Sequence, residues 1–199
     1  KSTLLNHFVN NTKKNVAVVA PTGVAAYNVG GQTIHSFFGI PPHGVLGVQP
    51  IHKHLYGRVR DALRSLDILV IDEISMVSAD LMDAMDTMLR AARGRNKGPF
   101  GGVQVVMFGD PYQLPPIAVK PGIEGYEYLK ETYRSDWFFD AKAWGESKLH
   151  RYELNENFRQ HDDTFIEILN AIRDGSVTQD MLDTLNLSLI HISEPTRRS

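Results

Sequence analysis

Three short apolar runs in this sequence each end at a turn-forming or acidic residue. The runs span residues 16–20, 68–71 and 103–108, and the residues that follow them are Pro21, Asp72 and Gly109. Short apolar runs bounded in this way are typical of strands that are buried on both faces. Segments with apolar residues at helical spacing separate the runs, so the sequence predicts an α/β fold with a mainly parallel sheet flanked by helices.

The residues just after these runs are the first candidates for chemistry, because open parallel sheets bind ligands beyond the carboxyl ends of their strands. After the second run, Asp72 can hold a magnesium ion and Glu73 can orient and deprotonate a water molecule. The alternative is a pair of solvated acids at a strand end. After the third run, the segment 109–116 turns through glycine and proline and displays Gln113. Its amide can both donate and accept, which suits a sensor of a γ-phosphate.

The start of the chain matches the end of a phosphate-binding loop. In the pattern G-x-x-x-x-G-K-[ST], the lysine reaches the β- and γ-phosphate oxygens and the hydroxyl binds Mg²⁺. Here Lys1, Ser2 and Thr3 stand at the last positions, and an apolar helical pattern follows. We therefore expect Lys1, Ser2, Thr3 and Asp72 to bind the nucleotide, with Ser2 and Asp72 as metal ligands. Because the loop glycines are absent, we expect a fragment that begins within the motif.

Two further segments carry candidate residues. Arg159 lies in a segment where an arginine aimed at a transferring phosphate would stabilise developing charge, and an ordinary surface arginine is the alternative. The segment 20–39 offers donors to a nucleic-acid backbone and one ring that could stack on a base. These are Thr22, Thr33, His35, Ser36 and Phe38. From spacing alone, a buried histidine and core phenylalanines are the favoured interpretation of this segment.

Composition restricts the remaining classes. The sequence has no cysteine, which excludes a disulfide scaffold and thiolate metal sites. Its formal net charge of −2 gives no argument for a strongly basic nucleic-acid binder, although a local basic groove is compatible with it. No apolar run approaches the ~20 residues of a membrane-spanning helix, so we expect no membrane association. Residues 187–199 look like translated sequencing-adapter text, and we assign them no function.

Taken together, the motifs resemble those of the Pif-type DNA helicases of superfamily one, in a form close to bacterial members. The resemblance covers roughly residues 1 to 175 and rests on five segments: 21–26, 30–37, 71–77, 109–116 and 158–160. It implies a RecA-like P-loop NTPase fold, here the first motor domain of a two-domain helicase. It also implies catalytic roles for Glu73, Gln113 and Arg159, and it makes Thr22, the segment 33–36 and Phe38 contacts of the DNA strand.

The resemblance further implies an ATP- and Mg²⁺-dependent motor that moves 5′ to 3′ on single-stranded DNA and unwinds duplexes and forks as a monomer. Such a motor would serve DNA repair, recombination, telomere maintenance and genome maintenance generally. It would be cytoplasmic and nucleoid-associated in a bacterium, and nuclear or mitochondrial in a eukaryote. The fragment itself is expected to be inactive because it lacks the loop glycines and the second motor domain.

The expected domain plan has three parts. Residues 1–160 form the first RecA-like domain, 161–186 begin the following helical or second motor region, and 187–199 are the non-native tail. Two alternatives remain for the function. One is a RecD-like or relaxase-type motor of the same superfamily, and the other is a nucleic-acid-binding remnant that has lost catalysis.

Overall fold

The fold of the 199-residue chain is given by a computed structural model. The structure describes residues 1–41, 46, 57–94, 97–154 and 162–193, with the side chains of 187–193 left out. The chain divides into a first unit, Lys1–His150, and a second unit, Arg151–Ser199. The candidate residues within the described ranges all belong to the first unit.

The first unit is built on a parallel sheet of four strands in the order β2-β1-β3-β4. The strands are β1 (Val16–Ala20), β2 (Gln32–Thr33), β3 (Ile68–Ile71) and β4 (Gln104–Met107). All pairs are parallel, with Val19 opposite Ile71 and Ile71 opposite Met107. The described residues therefore confirm the predicted α/β class with a parallel sheet flanked by helices. They also confirm that the strands end at a common edge.

Helices of the first unit surround this sheet. They are α1 (Ser2–Asn11), α2 (Gly23–Asn28), α3 (Ile34–Phe38), α4 (Gly57–Ser65), α5 (Ala79–Arg93), α6 (Tyr126–Thr132) and α7 (Lys142–Glu146). Short 3-10 turns lie at Ile74–Met76, Pro99–Gly102 and Phe138–Asp140. The second unit contains α8 (Asp163–Asp174) and α9 (Gln179–Ser193). None of the described helices combines the length and apolar character needed to cross a membrane.

Side chains of β3 alternate between two apolar clusters, which explains why all four of its residues are buried. Ile68 and Val70 join the cluster that includes Leu5 of α1. Leu69 and Ile71 join the larger cluster that includes the methionines of α5. Helices therefore cover both faces of the sheet. The methionines of α5 lie in this core, since Met85 and Met88 are 0% exposed.

The carboxylates along α5 tie surrounding segments to the sheet layer. Asp83 accepts hydrogen bonds from the Tyr133 hydroxyl at 2.9 Å and from the backbone N–H groups of Lys142 and Ala143 at 3.2 and 2.8 Å. Burial, with the neighbouring Asp83 charge as a second cause, raises the pKa of Tyr133. Tyr133 therefore remains a neutral donor to Asp83, and the bond fixes the segment before α7 against α5.

Candidate nucleotide and nucleic-acid site

The candidate nucleotide site lies where β3 ends and α1 begins. The N–H of Asp72 donates to the carbonyl of Val19 at 2.9 Å, which extends the parallel pairing one residue beyond the strands. Lys1 immediately precedes α1, and its Nζ lies 3.1 Å from Oδ1 of Asp72. The same Nζ donates to Oε1 of Glu73. The structure thus brings together three residues that are 72 positions apart at most.

Asp72 is the most buried of these three residues, at 3% exposed. Its Oδ1 meets Lys1 as an ion pair without the alignment of a hydrogen bond, and no described residue donates a hydrogen bond to that atom. A buried carboxylate oxygen of this kind is costly unless something else satisfies it. The atom therefore fits a hard cation, because Mg²⁺ prefers a few carboxylates, retained waters and phosphate oxygens.

The backbone of Glu73 adopts a left-handed conformation, with φ of 51° and ψ of 47°. Non-glycine residues rarely adopt this region, and such outliers persist only where their surroundings fix them. Here the next N–H, that of Ile74, donates to the carbonyl of Phe108 at 3.0 Å, just beyond β4. This bond holds the Asp72–Glu73 turn against the segment after β4 and keeps the Glu73 carboxylate at the same edge as Lys1.

Gly109 brings the Gln113 loop directly onto that turn. A Cβ at position 109 would lie 2.7 Å from Cγ2 and 2.9 Å from the backbone N of Ile74, so only glycine fits without a shift. Four residues later, the exposed Gln113 donates from Nε2 to Oδ2 of Asp110 at 3.3 Å. Gln113 is therefore held by Asp110 on a loop that begins at the turn. Asp110 was not among the predicted residues, although its spacing of three from Gln113 could have indicated the contact.

The remaining nucleotide candidates divide between exposed and undescribed positions. Ser2 and Thr3 are exposed in the first turn of α1, beside the Lys1 ion pairs. Arg159, predicted as the arginine finger, lies outside the described residues. The described chain thus assembles Lys1, Asp72 and Glu73, places Gln113 on an adjoining loop, and leaves the position of Arg159 as a prediction.

The candidate nucleic-acid segment begins at the same edge of the sheet. The hydroxyl of Thr22 caps α2 by accepting from the N–H of Ala25 at 3.2 Å, and that of Thr33 caps α3 by accepting from Ser36 at 3.2 Å. A capping hydroxyl still carries a hydrogen that it can donate to a phosphate. Ser36 is exposed and His35 is half-buried. These residues remain candidates for contact with a nucleic-acid backbone.

The stacking role predicted for Phe38 is wrong. Its side chain is 0% exposed and belongs to the main core together with Ile34. Its ring lies edge-on to Phe37, with centroids 5.3 Å apart and planes at 82°. A base could reach this ring only if the core opened, so Phe38 supports the segment from below instead of contacting a ligand.

Known proteins resemble this chain over nearly its whole length. A family model described as PIF1-like helicase matches residues 1–182. The ATP-dependent DNA helicase PIF1 of Candida albicans is 39% identical over 188 residues, which are 90% of this chain and 20% of that protein. The human ATP-dependent DNA helicase PIF1 is 35% identical over 192 residues, which are 96% of this chain and 28% of the human protein.

Solved structures agree with these sequence matches. A crystal structure of Pif1 helicase from Bacteroides in complex with ADP-AlF3 and ssDNA superposes with a TM-score of 0.84 at 41% identity, covering 92% of this chain and 42% of that one. A structure described as the basis for DNA unwinding at forked dsDNA by two coordinating Pif1 helicases gives 0.85 at 42% identity, covering 93% and 44%. The chain thus spans less than half of the proteins it matches.

Proposed function

The chain belongs to the PIF1-like helicase family, and we propose from that premise that its first unit is the nucleotide-binding part of an ATP-dependent DNA helicase. One observation carries the proposal: Lys1, Asp72 and Glu73 meet at the carboxyl edge of the sheet, and a buried Asp72 oxygen has no hydrogen-bond donor among the described residues. A lysine, a metal-binding acid and a second acid at one strand end are the groups that nucleoside triphosphate hydrolysis requires.

In the proposed site the residues have separate tasks. Lys1 leaves its acidic partners to neutralise phosphate oxygens, while Ser2 and Asp72 hold Mg²⁺. Thr3 lines the same helix start. When bound, the metal neutralises charge on the phosphates. Glu73 orients the attacking water and accepts its proton, and the left-handed backbone at this position fixes where the carboxylate points.

Two further residues would report the state of the phosphates. Gln113 senses the γ-phosphate, and its loop transmits the change to the Glu73 turn because Gly109 packs on Ile74. Arg159 is proposed as the finger that stabilises charge on the transferring group. Hydrolysis would then release both contacts and allow a second motor domain to move relative to the first. We propose that this first motor domain extends to about residue 160 of the chain and that residues 161–186 begin the next region.

The proposed nucleic-acid partner is single-stranded DNA, which Thr22, Thr33, His35 and Ser36 would hold by its backbone. The relative crystallised with ADP-AlF3 and ssDNA supports this partner, and the relative studied at forked dsDNA supports action at a fork. That second structure contains two coordinating helicases, so the proposal includes no fixed oligomeric state. Translocation from 5′ to 3′ in genome maintenance completes the proposal. Membership of the PIF1-like family disfavours the RecD-like and relaxase-type alternatives.

The decisive experiment compares Glu73→Gln with wild type in the full-length parent protein. We expect unchanged ATP binding and a loss of DNA-stimulated turnover of ~10²- to 10⁴-fold, since this is the usual contribution of a positioned general base. Glu131→Gln, at an exposed position of α6, is the matched control and should leave turnover unchanged. A wild-type turnover number in Glu73→Gln would remove Glu73 from the proposed role.

The same preparation separates the motor from a catalytically inactive remnant. A motor hydrolyses ATP faster when single-stranded DNA is added. A remnant would bind DNA in a salt-dependent way and hydrolyse nothing, whatever residue stands at position 73.

A further inference from the structure

Helix α2 exposes an aromatic ring that none of the proposed roles uses. Tyr27 is 86% exposed, and Val24, one turn earlier on the same helix, is 74% exposed. Residues three apart on a helix share a face, so these two side chains form one apolar surface. A single exposed apolar residue is ordinary. Tyr27 differs from such a residue in its position and in the ordered backbone of the helix that carries it.

The backbone of α2 is fixed at both ends. Thr22 caps its start, and Ala26 anchors its inner face at 4% exposed. After the helix, the N–H of Gly30 donates to the carbonyl of Tyr27 at 3.1 Å, and the N–H of Gly31 donates to the carbonyl of Ala26 at 2.9 Å. The ring of Tyr27 therefore projects from an ordered backbone, and a ligand that packs on it would pay little for ordering the protein.

The location of α2 connects Tyr27 to the proposed DNA contacts. The helix follows the carboxyl end of β1, and Thr33 lies opposite Ala20 in the neighbouring β2. The Thr22 and Thr33 hydroxyls therefore lie at the edge from which α2 departs. A hydroxyl that caps α2 and an exposed ring on the same short helix supply the two components of a single-strand site, one for phosphates and one for bases.

We propose that Tyr27 stacks on a nucleobase of single-stranded DNA whose backbone is held by the neighbouring hydroxyls. The proposal rests on the proposed function and adds a residue to it. Unpaired bases present a free face to an aromatic ring, whereas bases inside a duplex are already stacked on each other. Tyr27 would thus favour single strands over duplex and would tolerate any base, because every base has an aromatic face.

The test measures binding of a fluorescein-labelled dT16 oligonucleotide to the 199-residue chain by fluorescence anisotropy. Tyr27→Leu keeps an apolar side chain and removes the ring, and it should weaken binding by ~5- to 150-fold, the range expected for one base–aromatic stack. Tyr27→Phe should bind like wild type. Tyr152→Leu is the matched control, since Tyr152 is 88% exposed in the second unit, and it should also bind like wild type.

Two further measurements identify stacking as the cause. The salt dependence of binding should have the same slope in wild type and Tyr27→Leu, because a base contact releases no counterions. An oligonucleotide containing 2-aminopurine should lose fluorescence on binding to wild type and to Tyr27→Phe but not to Tyr27→Leu. Circular dichroism should show equal folding, as expected for a substitution at an exposed position.

The outcomes separate the two proposals. If wild type binds dT16 and Tyr27→Leu binds equally well, Tyr27 is not a stacking residue and the proposed function is untouched. If Tyr27→Phe is as weak as Tyr27→Leu, the hydroxyl makes the contact and stacking is wrong. If wild type itself fails to bind dT16 at low salt, the proposed DNA site of this chain fails and the Tyr27 proposal fails with it.

Discussion

Helix α5 and the turn after β3 both bury carboxylates, but they treat them in opposite ways. On α5, Asp86 is 9% exposed and accepts from Nε of Arg90 at 2.9 and 2.7 Å, and Asp83 accepts from three donors. In the turn, Asp72 is 3% exposed, and its Oδ1 has no hydrogen-bond donor among the described residues. The hydroxyl of Ser75, two residues beyond Glu73, is also buried without a described partner.

This difference separates acids that serve the fold from the acid that we propose as a metal ligand. A folded chain normally satisfies its buried polar groups, and each exception calls for a reason. Both exceptions among the described side chains lie in the turn where the backbone of Glu73 is also left-handed. Unmet hydrogen-bonding capacity and backbone strain thus coincide at one place, as expected where function and not stability determines the residues.

The largest effect on stability is expected at Asp83. Asp83→Ala leaves the Tyr133 hydroxyl and the N–H groups of Lys142 and Ala143 without their acceptor, which should lower the free energy of unfolding by about 2–4 kcal/mol. Urea denaturation of the 199-residue chain measures this change. Thr87→Ala, at an exposed position of the same helix, is the control and should change the value by less than ~0.5 kcal/mol. Equal stability of both variants would mean that the Asp83 bonds contribute nothing net.

A smaller loss is expected at Gly109, which joins the two loops of the candidate site. An alanine there places its Cβ against the backbone of Ile74, and the required shift should cost about 1–3 kcal/mol. Gly145→Ala is the matched control, because a Cβ at that position of α7 meets nothing within 4 Å. In the parent protein, Gly109→Ala should also reduce the proposed ATP turnover, since it displaces the Glu73 turn. Unchanged stability and turnover would show that the two loops are not mechanically joined.

Much of the sheet could be predicted from the sequence because the short apolar run that marks a buried strand is a local signal. Apolar runs at 16–20 and 68–71 coincide with β1 and β3, and the run at 103–108 contains β4. Long-range contacts carried no such signal. The strand β2 has two residues, too few for a pattern, and the donors to Asp83 come from residues 50 to 60 positions away.

Phe38 shows where sequence reasoning about the site failed. Spacing alone favoured the core for this residue, and family resemblance moved it to the DNA surface. The structure returns it to the core at 0% exposed. A motif marks a segment as functional but does not separate the side chains that touch a ligand from those that support the segment. Burial makes that separation, which is why Tyr27 emerged only from the structure.

Thr33 has both a structural role and a proposed functional role, since its hydroxyl caps α3 and is a candidate DNA contact. Thr33→Ala removes the cap bond from the N–H of Ser36 and should cost about 1 kcal/mol of stability. Thr33→Ser keeps a capping oxygen and should retain both stability and affinity for single-stranded DNA. Thermal unfolding and oligonucleotide binding of the two variants provide the measurements. A DNA affinity that survives Thr33→Ala would restrict this hydroxyl to the fold.

The smallest change in stability is expected at Asp72, the most buried acid among the described residues. Asp72→Asn removes a charge that costs free energy to bury, and it also removes an ion pair with Lys1, which keeps its bond to Glu73. These effects oppose each other, so the free energy of unfolding should change by less than ~0.5 kcal/mol, as is common when a functional residue is replaced.

The functional effect of Asp72→Asn should nevertheless be severe. In the parent protein the variant should lose the Mg²⁺ dependence of ATP binding, measured as the ratio of affinities with magnesium and with a chelator, because the neutral amide is a poor ligand for a hard cation. Glu131→Gln should retain that ratio. If Asp72→Asn instead destabilised the chain as much as Asp83→Ala does, Asp72 would be a structural acid like those of α5. The contrast between the carboxylates of the turn and those of the helix would then be wrong.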